Sequence, residues 1–284
     1  MLKKSAVRDN AVLPVLFFGV LTGAIIWLPF IVWSGISPDT LPHPLLFVRR
    51  LLPLEHGWLM GKSLLVACSW LFGYFALKHL PLSTAGPIRS TGPLWTILIA
   101  VSFFGELPSS RQWLGLAILL ASFYAFSFVG KLEGLHFRRN RWVWCMVAAT
   151  FLGATSSLYD KFLLQRVGLS PSAVQAWFSV YLVVVLLPVY LLWKRGVWAR
   201  GDFQWRWSIP LIGVTLLAAD IFYFTAVQDQ SALISVISPI RRLSVIVTFF
   251  GGVVLFGERT RVRSKALCLG VMLLGAYTLS SPGQ

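Results

Sequence analysis

Four charged side chains fall inside long apolar stretches: Arg89, Arg241, Arg242 and Asp220. A charge at membrane depth is costly and persists where it meets water, a partner or a ligand. Arg89 and Arg241 each close a Pro-Ile-Arg triplet that begins at Pro87 and Pro239. Proline interrupts the backbone ladder near a helix start and leaves polar backbone groups for a ligand to use. A guanidinium is a planar fork that grips a carboxylate in two places. The two arginines are therefore expected to form the polar core of a binding site for an anionic group. The competing reading has both side chains snorkelling to headgroups or binding carbonyls of neighbouring helices. Asp220, on Leu216-Leu217-Ala218-Ala219-Asp220-Ile221, is the one acid well inside a predicted helix. It is expected either to exchange protons as a coupling group or to neutralise Arg241 or Arg242.

The arginines belong to a stretch that occurs twice. Pro87 to Glu106 and Pro239 to Glu258 align without a gap at an offset of 152 (239 − 87). Each copy opens on Pro-Ile-Arg, continues as an apolar helix long enough to cross a bilayer, and closes on Phe-Gly-Glu. At Gly105-Glu106 and Gly257-Glu258 a structural role is expected. The glycine permits a tight exit, and the carboxylate meets basic residues or amides of the next helix start. A gating carboxylate is the alternative. Tyr74 and Tyr223, each followed by Phe, hold matching places in their helices. With Trp95 they are expected to line a binding cavity, against a plain packing role for each. Gly19-x-x-x-Gly23 is a small-residue stripe suited to close helix packing.

The elements that carry these residues are apolar helices. Of 284 residues, 57% are hydrophobic and 12% charged, against about 25% charged in soluble domains. The mean hydropathy is +0.75. Nine membrane helices are predicted: Ala11–Trp33, Gly61–Leu77, Ser83–Phe104, Gln112–Val129, Trp142–Tyr159, Ser172–Trp193, Trp207–Val227, Ala232–Phe256 and Ala266–Leu279. The runs do not alternate as barrel strands would. The fold class is an all-α polytopic membrane protein. Ser34–Met60 reads as a long surface loop, with room for an interfacial helical piece. The duplication divides the chain into residues 1–130, a basic linker at 131–141, and residues 142–284.

Several functions are excluded. The net charge of +15 sits in short loops between apolar runs, a membrane pattern rather than a nucleic-acid footprint. Cys68, Cys145 and Cys268 fall inside apolar runs and form no disulfide framework. His43, His56, His79 and His136 all fall in predicted loops, without metal-ligand spacing. No cofactor, metal or enzymatic nucleophile is expected. Gly57 to Ser63 resembles a phosphate loop, but the required first glycine is His56 and no strand precedes it. ATP hydrolysis is thereby excluded, and Lys62 is expected at the lipid headgroups.

The pieces Leu80 to Arg89, Pro93-Leu94-Trp95 and Phe104-Gly105-Glu106, with Ile234 to Pro239 and Leu255-Phe256-Gly257-Glu258, carry a resemblance. The layout resembles the drug/metabolite transporter superfamily, specifically the EamA family of paired five-helix repeats. That resemblance implies ten helices in an inverted repeat around a central cavity. It also implies secondary transport of a small organic metabolite or drug-like solute across the inner membrane, as exporter or exchanger. Membrane lipids would surround the chain, and protons are the expected coupling ion. The first helix aligns with the sixth, through Leu28-Pro29 and Leu187-Pro188, and nothing aligns with the fifth. The first half is thus expected to lack its opening helix. A truncated, non-transporting membrane protein or assembly partner is the alternative. Loop charge places the N-terminus in the cytoplasm by the positive-inside rule, whereas the family pattern of ten helices with both ends inside gives the opposite orientation.

Overall fold

The computed structural model describes residues 2–80, 85, 88–89, 91–105, 107–130, 140–197, 201–241, 243 and 262–280. Helices dominate, and no strand occurs among the described residues. The helices are α1 (Leu2–Val7), α2 (Val12–Ile36), α3 (Pro53–His79), α4 (Gly92–Phe104), α5 (Ser110–Gly130), α6 (Arg141–Lys161), α7 (Pro171–Lys194), α8 (Ser208–Gln228), α9 (Ile234–Arg241) and α10 (Val262–Ser280). Five of these are long and apolar enough to cross a membrane: α2, α3, α6 with its extension to Arg166, α7 and α8. Of the predicted helices over 83–104 and 232–256, α4 and α9 are the described parts.

The chain forms two compact units. The first takes residues 1–78 and 159–230, hence α1, α2, α3, α7 and α8. The second takes residues 79–158 and 231–284, hence α4, α5, most of α6, α9 and α10. Each unit draws helices both from the first 130 residues and from the residues after 140.

In the first unit Leu16, Phe17 and Val20 of α2 pack with Val66 and Tyr74 of α3, Phe178 and Leu182 of α7, and Ile209 and Ile212 of α8. The small-residue stripe does what its spacing predicts. A Cβ at Gly213 would lie 2.6 Å from the Gly19 carbonyl oxygen, and one at Gly23 would lie 3.4 Å from Leu217. Glycine on both helices lets α2 and α8 approach backbone to backbone. In the second unit Ile97, Leu116, Leu119, Leu269 and Met272 form a core. Gly275 lies so close to α5 that a Cβ there would sit 3.0 Å from Ile118 and Leu119.

Three expectations are corrected. The loop predicted over Ser34–Met60 ends at Pro53, where α3 begins eight residues before the predicted start at Gly61. The Glu55 carboxylate accepts from the Leu52 amide at 2.8 Å and pairs with Arg49 at 2.6 Å, and proline suits a first helical position. Polar capping residues lower the hydropathy there, so an apolar window starts late. His56 and His79 consequently lie within α3 rather than in loops. The helix predicted to end at Tyr159 runs on through Lys161 and a π turn at Phe162–Arg166. It ends at Gly168, whose φ of 74° is the left-handed conformation that closes helices. The Leu169 amide donates back to the Leu163 carbonyl at 3.0 Å.

Candidate functional site: a buried ion pair

The extension of α6 brings Asp160 inside the first unit. Its Oδ1 lies 2.6 Å from Lys62 Nζ, and the two side chains are 7% and 1% exposed. Lys62 is therefore not at the headgroups, as expected from sequence. It lies ~14 Å along the axis from Pro53, inside a 27-residue helix. Two aromatic faces complete its surroundings. The ammonium is 4.1 Å from the Phe224 ring centroid and 4.3 Å from that of Phe178. A ring face attracts a cation electrostatically, the more so away from water. Lys62 comes from α3, Asp160 from α6, Phe178 from α7 and Phe224 from α8.

These helices are held in register around the pair. The Tyr159 hydroxyl donates to the Trp58 carbonyl at 3.0 Å, and Trp58 meets Phe162 edge to face at 5.4 Å. A Cβ on Gly61 would lie 3.4 Å from that hydroxyl, in ordinary contact. Gln165 Nε2 donates to the carbonyls of Val227 at 2.8 Å and Asp229 at 2.7 Å, tying the π turn to the end of α8. The His56 ring and the Tyr181 hydroxyl are 2.7 Å apart and join α3 to α7. Gln175, on α7 one turn before Phe178, is 1% exposed. Its Oε1 has no hydrogen-bond partner among the described residues.

The sequence-predicted residues are spread over both units. Tyr74, Tyr223 and Asp220 are buried in the first. Lys3 Nζ lies 5.3 Å from the Tyr74 ring and 5.0 Å from the Trp70 ring. Asp220 lies one turn before Phe224 on α8. Trp95, Arg89 and Arg241 belong to the second unit. Trp95 is half-buried and edge to face with Phe151 at 5.5 Å, while both arginines are exposed. Helix α9, which ends at Arg241, packs on α4, which begins just after Arg89. Gly105 closes α4 with φ at 63°. Pro87, Glu106, Arg242, Gly257 and Glu258, and the side chain of Pro239, lie outside the described residues. No three His, Cys, Asp or Glu side chains gather as metal ligands among the described residues.

Sequence reasoning missed Lys62 and Asp160 because each was assigned to a helix end. The signal was a lysine directly followed by Ser63-Leu64-Leu65-Val66-Ala67 and an acid directly preceded by an apolar helix.

Helices of membrane length that bury an ion pair define a multi-pass membrane protein. Residues 1–128 match the model of the EamA-like transporter family, and over them the resemblance to drug/metabolite transporters holds. A probable 4-amino-4-deoxy-L-arabinose-phosphoundecaprenol flippase subunit, ArnE, from Pectobacterium atrosepticum is 35% identical over 68 residues. That match covers 24% of this chain and 60% of the relative. A crystal structure described only as that of a protein aligns with a TM-score of 0.71 over 98% of this chain and 90% of the other, at 16% identity. At that identity the likeness shows the fold alone.

Proposed function

We propose that the chain is a secondary transporter that moves a small organic solute across the inner membrane, as exporter or exchanger. The observation that carries this is the buried Lys62–Asp160 pair, 2.6 Å apart, inside the membrane-length helices of a chain whose first 128 residues match EamA-like transporters. Ionised groups within a membrane bundle mark pathways for solutes or protons. The reading includes nine membrane helices in an inverted repeat. An ion or solute gradient drives the cycle. Arg89 and Arg241 bind an anionic group on the solute; their equivalent places in the two copies support this, because sites in inverted repeats gather near the pseudo-symmetry axis. Tyr74, Tyr223 and Trp95 line the path, and Asp220 serves proton coupling.

The test is flux. Purified chain in liposomes, with an imposed proton gradient, is offered radiolabelled small carboxylates and drug-like solutes. Gradient-dependent movement of one class is the expected result; none above protein-free vesicles removes the proposal. A second reading, an assembly partner without transport of its own, is favoured by the ArnE relative, which is described as a flippase subunit. Under it, flux appears only when a second membrane protein is co-reconstituted.

A further inference from the structure

The Lys62–Asp160 pair is neutral as a whole, and that neutrality restricts what can enter. We propose that it is a proton-linked anion site, in which a small organic monoanion replaces Asp160 on the Lys62 ammonium while a proton joins Asp160. This rests on the transporter reading, narrows its solute to a monoanion, and adds a site in the first unit to the roles given to Arg89, Arg241 and Asp220.

The argument is one of charge balance. An anion arriving alone would add an uncompensated negative charge to the buried site. A proton arriving alone would neutralise Asp160 and strand the ammonium. Arriving together they keep the sum at zero. One O–H bond forms on Asp160 with a proton from solvent, and the ammonium exchanges one carboxylate for another. No bond to carbon is made or broken.

Geometry decides where the exchange occurs and what fits. Phe178 and Phe224 occupy two sides of the ammonium, at 4.3 and 4.1 Å, and Asp160 faces it at 2.6 Å. The exchangeable side is that of Asp160. An entering anion would lay its body against two phenylalanine faces, so an apolar or aromatic monocarboxylate fits best. The buried Gln175 Oε1, without a hydrogen-bond partner among the described residues, offers an acceptor on the same helix as Phe178 for a protonated carboxyl or a donor on the solute. The titratable groups within about one turn of these side chains along their own helices are Tyr159 and Lys161 beside Asp160, Tyr181, which is bonded to His56, and Asp220 and Tyr223 beside Phe224.

Infrared difference spectroscopy on the full chain in liposomes tests this, with sodium benzoate as the probe. As pH falls from about 8 to about 5 without benzoate, no carboxylic-acid C=O band from Asp160 is expected, because a proton alone would strand the ammonium; with saturating benzoate the band should grow, be lost in Asp160→Asn and be kept in Asp220→Asn. Benzoate should thus raise the midpoint of that band by about one pH unit or more, into this range, because binding favours the protonated acid. Lys62→Gln should abolish the benzoate shift and Lys62→Arg should keep it, so the test stands even if the glutamine variant does not fold. No Asp160 band in the presence of benzoate, or the same band without it, overturns the proposal. A benzoate-dependent shift without flux would sink the transporter reading and leave the site.

Discussion

At the scale of single residues, Lys62 and Asp160 show why a buried pair is asymmetric in its energetics. Removing one partner leaves a charge without its counter-ion where solvent cannot reach. Lys62→Met or Asp160→Leu alone should therefore lower stability by about 3–5 kcal/mol, while the double variant should be near neutral or stabilised. Urea unfolding in detergent reads this directly; single variants as stable as the parent would show that water reaches the pair. Arg89 and Arg241 pose a different test, since both are exposed. If they hold an anionic solute in bidentate fashion, Arg89→Lys and Arg241→Lys should each weaken binding about tenfold or more with the fold intact. Unchanged solute affinity in both variants would assign them to headgroups or backbone.

At the scale of elements, glycines separate two mechanisms. Gly213 has no room for a side chain: a Cβ would meet the Gly19 backbone at 2.6 Å and Thr22 at 2.9 Å. Gly213→Ala must push α8 off α2 and should cost about 1–3 kcal/mol. Gly105 has open space around it but a φ of 63°, so Gly105→Ala should cost only about 1 kcal/mol, as backbone strain. Melting temperatures in one detergent should rank Gly213→Ala below Gly105→Ala, and the reverse order would contradict the close approach of α2 and α8. Asn10 anchors another element. Its side chain donates to the Ala6 and Gln204 carbonyls at 3.1 and 2.8 Å and accepts from the Ala11 and Gln204 amides at 2.9 Å each. This joins the segment after α1 to the segment before α8.

At the scale of the whole molecule, each compact unit takes helices from both the N-terminal and the C-terminal part of the chain. α2 and α3 cannot complete the first core without α7 and α8, which supply Phe178, Leu182, Ile209 and Ile212. Cutting the chain within the basic linker at 131–141 should therefore give two fragments that fail to fold alone. Co-expressed, they should associate and co-purify through a tag on either one. A fragment that is monodisperse and cooperatively melting by itself would argue that each sequence copy is its own folding unit.

The apolar runs alone determined the helical membrane class, since about 20 apolar residues in a row have few other stable solutions. The Pro-Ile-Arg and Phe-Gly-Glu repeats carried the family resemblance, and the spacing of Gly19 and Gly23 announced close packing before any neighbour was known. Tertiary structure decided the ion pair. Hydropathy scores Lys62 and Asp160 as residues that end helices, because a lone charge does not belong in an apolar core. Only the folded chain reveals that each cancels the other across α3 and α6, with the ammonium against Phe178 and Phe224. Pairing across 98 positions of sequence (160 − 62) leaves no trace in local composition.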